Sequence, residues 1–236
     1  MHDHVGFGYC RSTNTYKLVK IARGSKKGKQ HVKVYTLGDR SGWRDKPEIT
    51  YEVSGSGVFA NGAVHWVINK RSPTNCDIVA FDLAEESFRP IPPPPCHPKS
   101  FHDVNLGCCE ANIYMCHPYT KKKEDKMDIW VFEKKNMNNC GSNSLEESMW
   151  IRRFSGKREK SFLTRSLSRT ESEILIWQNR VLTCYDPKTS KKIWCIDAQG
   201  SVSEAIPHMH SFVSLKDFRE ERVDHVVVPE IPVYSF

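Results

Sequence analysis

The chain contains no Cys-x-x-Cys pair among its nine cysteines and no Asn-x-Ser/Thr acceptor for glycosylation. An odd cysteine count without paired spacing excludes a secreted disulfide scaffold and describes reduced thiols in the cytoplasm, the nucleus or both. Long apolar runs are missing too. The least polar stretch, residues 57–69, is shorter than the ~20 residues a membrane-spanning helix needs. The opening Met1-His2-Asp3-His4 lacks the positive start and apolar middle of a secretion signal. A soluble protein without a membrane partner is expected.

Catalytic signatures are equally scarce. There is no Gly-x-Ser-x-Gly elbow, no His-Glu-x-x-His helix and no Gly-x-Gly-x-x-Gly turn, so neither a nucleophile nor a dinucleotide site has a sequence anchor. Residues 22–30 superficially resemble a phosphate loop. Only three residues separate Gly24 from Gly28, however, and Gln30 stands where a magnesium-binding hydroxyl belongs, so the segment reads as a solvated hairpin loop. Cys96-His97, Cys108-Cys109 and Cys116-His117 offer zinc-ligand types without zinc-ligand spacing, because adjacent residues on a strand point to opposite faces. His65, between apolar residues and beside Trp66, reads as a strand histidine rather than a general base. No catalytic residue, cofactor or metal is assigned, and the expectation is a non-enzyme.

What the chain does have is charge and β-forming residues. It carries 35 Lys and Arg against 28 Asp and Glu, a net +7 that favours acidic partners through long-range attraction. The excess is local: residues 16–46 hold ten basic and two acidic side chains, residues 152–169 hold seven and one, and the tail from Lys216 reverses sign. Basic segments with aromatics nearby, Tyr119 before Lys121–Lys123 and Phe162 near Arg165 and Arg169, raise nucleic acid as a partner. Their setting between strands points instead to solvating loops, so specific nucleic-acid binding is not assigned.

Short runs rich in Val, Ile, Tyr, Phe and Trp recur from end to end at residues 16–21, 31–37, 58–60, 63–68, 78–83, 113–117, 129–133, 173–177, 181–185 and 192–196. Asn61-Gly62 marks a tight hairpin, since both residues tolerate positive φ. At 236 residues the chain fits one all-β domain, a class that runs to roughly 200–250 residues. The runs also repeat. A strand such as Val64-His65-Trp66 is followed by an apolar strand ending in an acid (Val79-Ala80-Phe81-Asp82) and an aromatic closing strand (Phe88-Arg89). The order returns at Ile113-Tyr114, residues 129–132 and Trp150-Ile151, then at residues 174–177, 182–186 and 192–194, with a partial earlier copy at Tyr9-Cys10, Val34-Tyr35 and Trp43. Tyr35, Phe81, Phe132 and Tyr185 are spaced by 46, 51 and 53 residues, a period that suits four-stranded propeller blades. The fold class is therefore all-β, a propeller-like (kelch-like) array of antiparallel blades, incomplete at the amino-terminal end. Trp43, Phe88, Trp150 and Trp194 are expected to fill the spaces between sheets.

In this order the residues resemble a known family. Gly6-Phe7-Gly8-Tyr9 followed by residues 12–19 is similar to the opening strands of the F-box-associated domain of plant F-box proteins. Residues 34–37, Trp43-Arg44, residues 57–66, 81–83, 88–92, 128–131, 185–189 and 210–215 continue the likeness in order, over roughly residues 5–216. The resemblance implies residues 1–216 as a β-propeller-like domain with a tail at 217–236, acting as the substrate receptor of an SCF-type ubiquitin ligase. It implies a target protein as partner, with a Skp-type adaptor and a cullin only where an F-box is supplied, since this chain opens after that module. The rivals are an uncoupled, F-box-less binding module, a propeller hydrolase or sugar oxidase, and a nucleic-acid binder.

Blade order also suggests where binding takes place, because loops on a rigid scaffold commonly carry function. One rim gathers residues 69–75, 93–102, 119–126 and 156–169. Aromatic and Arg side chains dominate binding hot spots, so Lys70, Arg71, Phe101, Tyr119, Lys122, Phe162 and Arg165 are the expected protein contacts.

Overall fold

The computed structural model describes residues 3–24, 28–68, 78–96, 104–109, 112–121, 123–134, 148–157, 164–169, 173–178, 180–186 and 188–198. These form sixteen strands in four consecutive antiparallel sheets of four. Sheet A holds β1 (His4–Cys10), β2 (Thr15–Arg23), β3 (Gln30–Thr36) and β4 (Arg44–Ile49). Sheet B holds β5 (Val53–Ala60), β6 (Ala63–Ile68), β7 (Ile78–Asp82) and β8 (Ser87–Ile91). Sheet C holds β9 (Asn105–Cys109), β10 (Asn112–Lys121), β11 (Glu124–Lys134) and β12 (Ser148–Lys157). Sheet D holds β13 (Thr164–Arg169), β14 (Ile174–Gln178), β15 (Val181–Tyr185) and β16 (Lys192–Asp197).

The propeller reading therefore stands, and Tyr35, Phe81, Phe132 and Tyr185 all fall on third strands. One detail is corrected: the first sheet carries all four strands, and Tyr9-Cys10 belongs to its first strand rather than its second. The partial appearance came from β2, where residues buried on one face alternate with lysines and so break the apolar run.

Turn chemistry sets the strand boundaries. Asn61 and Gly62 both adopt positive φ, 48° and 74°, and join β5 to β6. After β7, Asp82 Oδ1 accepts hydrogen bonds from the amides of Ala84 and Glu85, and the turn closes at Glu86 with φ 52°. Sheet D repeats the device: Asp186 Oδ1 accepts from the amides of Lys188 and Thr189, and Ser190 has φ 55°. A short acceptor side chain that satisfies the next amides explains the acid ending each of these third strands.

Neighbouring sheets pack face to face, and each junction is an apolar core. The A–B core joins Val19, Ile21, Val32 and Val34 to Val64, Trp66, Val79 and Phe81. The B–C core joins Ala63, Val67, Ile78 and Ala80 to Ile113, Met115 and Trp150. The C–D core joins Tyr114, Cys116, Ile129 and Phe154 to Ile174 and Ile176. Phe88 packs edge-on to Phe81, and Trp150 donates through Nε1 to the Pro92 carbonyl, so these two aromatics fill junctions as expected. Trp43 and Trp194 do not: they are 45% and 37% exposed, on the two end sheets.

Inner strands meet closely because β1 supplies glycine. A Cβ on Gly6 would lie 2.3 Å from Val64 and 2.7 Å from Trp66, and one on Gly8 would lie 2.3 Å from Phe59. His4 Nδ1 lies 2.9 Å from the Gly55 carbonyl at the other end, so β1 and β5 run in the same direction. A polar clasp reinforces the joint. Glu86, at the tip of the β7–β8 turn, meets Lys17 at 2.8 Å, Arg44 at 2.7 Å and Lys46 at 2.5 Å, while Lys17 also donates to the Leu83 carbonyl. Among the described residues there is no helix long and apolar enough to cross a membrane.

These contacts can be tested in two ways. Gly6→Ala forces a methyl into Val64 and Trp66, and such overpacking costs about 1–3 kcal/mol. At ~2–4 °C per kcal/mol for a domain of this size, the melting temperature drops by several degrees in a calorimetric scan. Acid acts in two stages. His65 is buried, donates through Nδ1 to the Val58 carbonyl and has its pKa pushed by burial down to about 4. Its neutral form stabilises the fold above pH ~6.5, and that contribution is lost as pH falls toward 4. For Glu86, burial raises the pKa, but the hydrogen bonds from Lys17 and Lys46 and the charges of Lys17 and Arg44 together outweigh it and hold it at about 2. Its contribution, on the order of 3 kcal/mol, is complete above pH ~4.5 and is lost as pH falls through 2. Chemical denaturation across pH 2–7 shows both steps, and His65→Leu removes the upper one.

Candidate binding surfaces

Within each sheet the connections leaving the second and fourth strands lie at one end, and parallel β1 and β5 bring those ends of sheets A and B to the same side. The rim inferred from the blade order draws on such connections of sheets B and C, most of which lie outside the described residues. Lys70 and Arg71 belong to the β6–β7 connection, Phe101 to β8–β9, Lys122 to β10–β11 and Phe162 to β12–β13; all five lie outside the described residues. Arg165 is on β13, so residues 164–169, expected as loop, are strand, and likewise β12 continues to Lys157.

Tyr119 is described, and it is engaged within the fold. It sits near the end of β10, and its hydroxyl donates to Asp128 Oδ1 at 3.2 Å. Asp128 lies opposite His117 in the β10–β11 register, and His117 stacks on Tyr119 with ring centroids 5.5 Å apart. Arg152 of β12 reaches Asp128 Oδ2 at 3.6 Å and holds its guanidinium 5.9 Å above the Trp130 ring. Burial lowers the His117 pKa and the Asp128 charge works against it. His117 Nδ1 and the Trp130 indole nitrogen, both buried, meet no hydrogen-bond partner among the described residues. Arg152, 55% exposed at its side chain, is the member of this cluster open to a partner. It was missed from sequence because it stands in a basic run where no residue type marks one arginine over another. Cys116, next to His117, turns to the opposite face and joins the C–D core. Among the described residues no three His, Cys, Asp or Glu side chains form a metal-binding group.

A second surface was not anticipated. The outer face of sheet A, turned away from sheet B, carries a band of Phe7, Tyr9, Tyr16, Leu18, Tyr35 and Trp43. Phe7 stacks on Tyr16 at 5.4 Å and 7°, and Tyr35 meets Trp43 at 5.5 Å. Beside the band lies a groove of about 520 Å³ lined by Lys20, Ala22, His31, Lys33, Trp43 and Asp45. Basic side chains in and beside it already have acidic neighbours: Lys20 with Asp3 at 2.7 Å, Lys33 with Asp45 at 3.3 Å and Lys29 with Glu48 at 3.0 Å, while His31 Nδ1 also lies 3.0 Å from Glu48. The sequence signal was the alternation Val5, Phe7, Tyr9 against Gly6, Gly8, Cys10, which turns the aromatics outward once the glycines face sheet B. Much of the basic run at residues 16–46 is thus held in ion pairs rather than presented as a bare phosphate-binding stripe.

The Tyr119 cluster is testable by titration. Asp128→Asn removes the charge that opposes burial, so the His117 pKa falls further, which imidazole resonances followed by NMR will register. Loss of the charged acceptor also destabilises the fold by about 1–2 kcal/mol.

Comparison with known proteins agrees with this architecture. The family model described as the F-box associated beta propeller domain matches residues 1–221. The chain is 28% identical to F-box protein At3g07870 of Arabidopsis thaliana over 230 aligned residues, taking in 79% of this chain and 53% of that protein. It is 25% identical to F-box/kelch-repeat protein At3g23880, also of Arabidopsis thaliana, over 136 residues, or 54% of this chain and 35% of that one. The chain therefore spans about half the length of the first relative and about a third of the second. With residues 1–221, the span that carries all four four-stranded antiparallel sheets, matched by that family model, this chain belongs to the F-box associated beta propeller domain family.

Proposed function

We propose that the domain is the substrate-recognition module of an SCF-type ubiquitin ligase, acting in the cytoplasm or nucleus and directing a target protein to ubiquitination while transfer chemistry resides in other subunits. The observation that carries this reading is the family match over residues 1–221, which joins the chain to proteins named for their F-box. The scaffold suits such a role, because rigid blades with apolar junctions present connecting loops whose sequences vary without disturbing the core. On this reading the target lies across the rim of second- and fourth-strand connections, against Lys70, Arg71, Phe101, Tyr119, Lys122, Phe162 and Arg165, with Arg152 beside them. Engagement of a Skp-type adaptor and a cullin then requires that an F-box be supplied.

Affinity purification from plant cell extract, comparing this chain with the same chain fused to an intact F-box, tests the reading by mass spectrometry. Both forms are expected to capture a common target, with only the fusion recovering adaptor and cullin. Capture of no protein by either form, or recovery of ligase subunits by this chain alone, overturns it. Phe101→Ala combined with Arg165→Ala is expected to cut target recovery about tenfold or more without moving the thermal midpoint, as hot-spot residues do. Unchanged recovery moves the binding site off this rim.

A further inference from the structure

Two adjacent arginines of β12 are used in different ways. In the β11–β12 register Ile129 stands opposite Phe154 and Trp130 opposite Arg152, so Arg153 is the extra residue of a β-bulge. Had pairing continued evenly from Phe154, Arg153 would have met Trp130. Bulges re-aim side chains at the edges of sheets, and β12 is the outer strand of sheet C. Phe154 and Ile129 keep to the C–D core, whereas Arg152 shares the opposite face with Trp130, which packs against the B–C core. The bulge thus assigns one arginine to each side.

Arg153 is spent within the fold. It donates through Nε to Glu133 Oε1 at 3.0 Å and through Nη2 to Glu133 Oε2. Arg44 is spent likewise, on Thr36 and Glu86. Arg152 is not: its Nη1 lies 3.6 Å from Asp128 Oδ2, an ion pair longer than a hydrogen bond, and among the described residues its guanidinium donates no hydrogen bond. The group is nevertheless placed. The Trp130 ring lies 5.9 Å from its central carbon, and the Asp128 carboxylate, buried and held by the Tyr119 hydroxyl, fixes its flank. An exposed guanidinium already oriented, with its donors free, meets a ligand at little ordering cost.

We infer that Arg152 anchors a carboxylate side chain, an aspartate or glutamate, of the bound target protein. The planar fork of a guanidinium matches the two oxygens of a carboxylate, a pairing that lysine cannot reproduce. Asp128 selects between anions. It already sets one negative charge beside Arg152, so a carboxylate adds one more while a phosphoryl group adds roughly two in the same place, with repulsion to match. Arginine is among the residues that carry most of the energy at protein interfaces, which suits a single anchor of this kind. The inference rests on the target-binding reading and deepens it by naming the group that the target presents.

The test is an NMR titration of the isotope-labelled full chain with three capped tripeptides at constant ionic strength: acetyl-Gly-Glu-Gly-amide, its glutamine counterpart and its phosphoserine counterpart. Saturable shifts of the Arg152 Nε–H and Trp130 indole resonances are expected with the glutamate peptide, with binding at least fivefold weaker for the other two. Arg152→Lys is expected to weaken the glutamate peptide at least fivefold; the comparison of glutamate with glutamine needs no variant and decides the matter even where the variant fails to fold. No shift at Arg152, equal binding of the glutamine peptide, equal or tighter binding of the phosphoserine peptide, or unchanged binding by a folded Arg152→Lys chain would each overturn the inference. In affinity purification the same variant is expected to recover at least fivefold less target, and unchanged recovery overturns the inference too. Recovery of no target by the unsubstituted chain sinks the underlying reading instead, so the two failures are told apart.

Discussion

A β-sheet with two apolar faces has to be covered twice, and sheet B is such a sheet. Its β6 is buried at every position, so sheets A and C must lie against it, and C in turn must be covered by D. The stack does not require strong pairwise interactions between particular side chains. It requires that aliphatic surface be removed from water on successive faces, at roughly 25 cal/mol for each Å². Polar features fit around that demand: acids at the ends of third strands turn the chain, and Pro47 and Pro90 sit on the outer strands β4 and β8 where a lost donor matters least.

Legibility from sequence tracked apolar runs. Ala63–Ile68 and Val181–Tyr185 were placed to the residue, because an apolar run bounded by turn residues leaves little choice. Strands of the periphery were harder. β4 reads Arg-Asp-Lys-Pro-Glu-Ile and β13 reads Thr-Arg-Ser-Leu-Ser-Arg; both owe their extended form to a neighbouring strand's hydrogen bonds rather than to their own side chains. Period counting succeeded because it locked onto third strands, which are paired on both sides.

The binding surfaces were less legible than the fold. Tyr119 was recognisable as an aromatic near a hairpin, but its hydroxyl is directed to Asp128 by a cross-strand register that no local pattern announces. The outer face of sheet A was hidden by the opposite difficulty. Its aromatics are the residues that normally fill a core, and only the two glycines across the strand reveal which way they point.

The Glu86 clasp bears on how the blades are indexed. Aliphatic faces slide past one another by fractions of a residue at little penalty, so an apolar junction alone specifies contact but not position. A single carboxylate held by Lys17 of the second strand and Arg44 and Lys46 of the fourth can satisfy all three only at one offset and one rotation of sheet B against sheet A. The joint between the first two blades is thus keyed as well as glued, and the pitch it imposes is carried outward to wherever the rim loops finally stand.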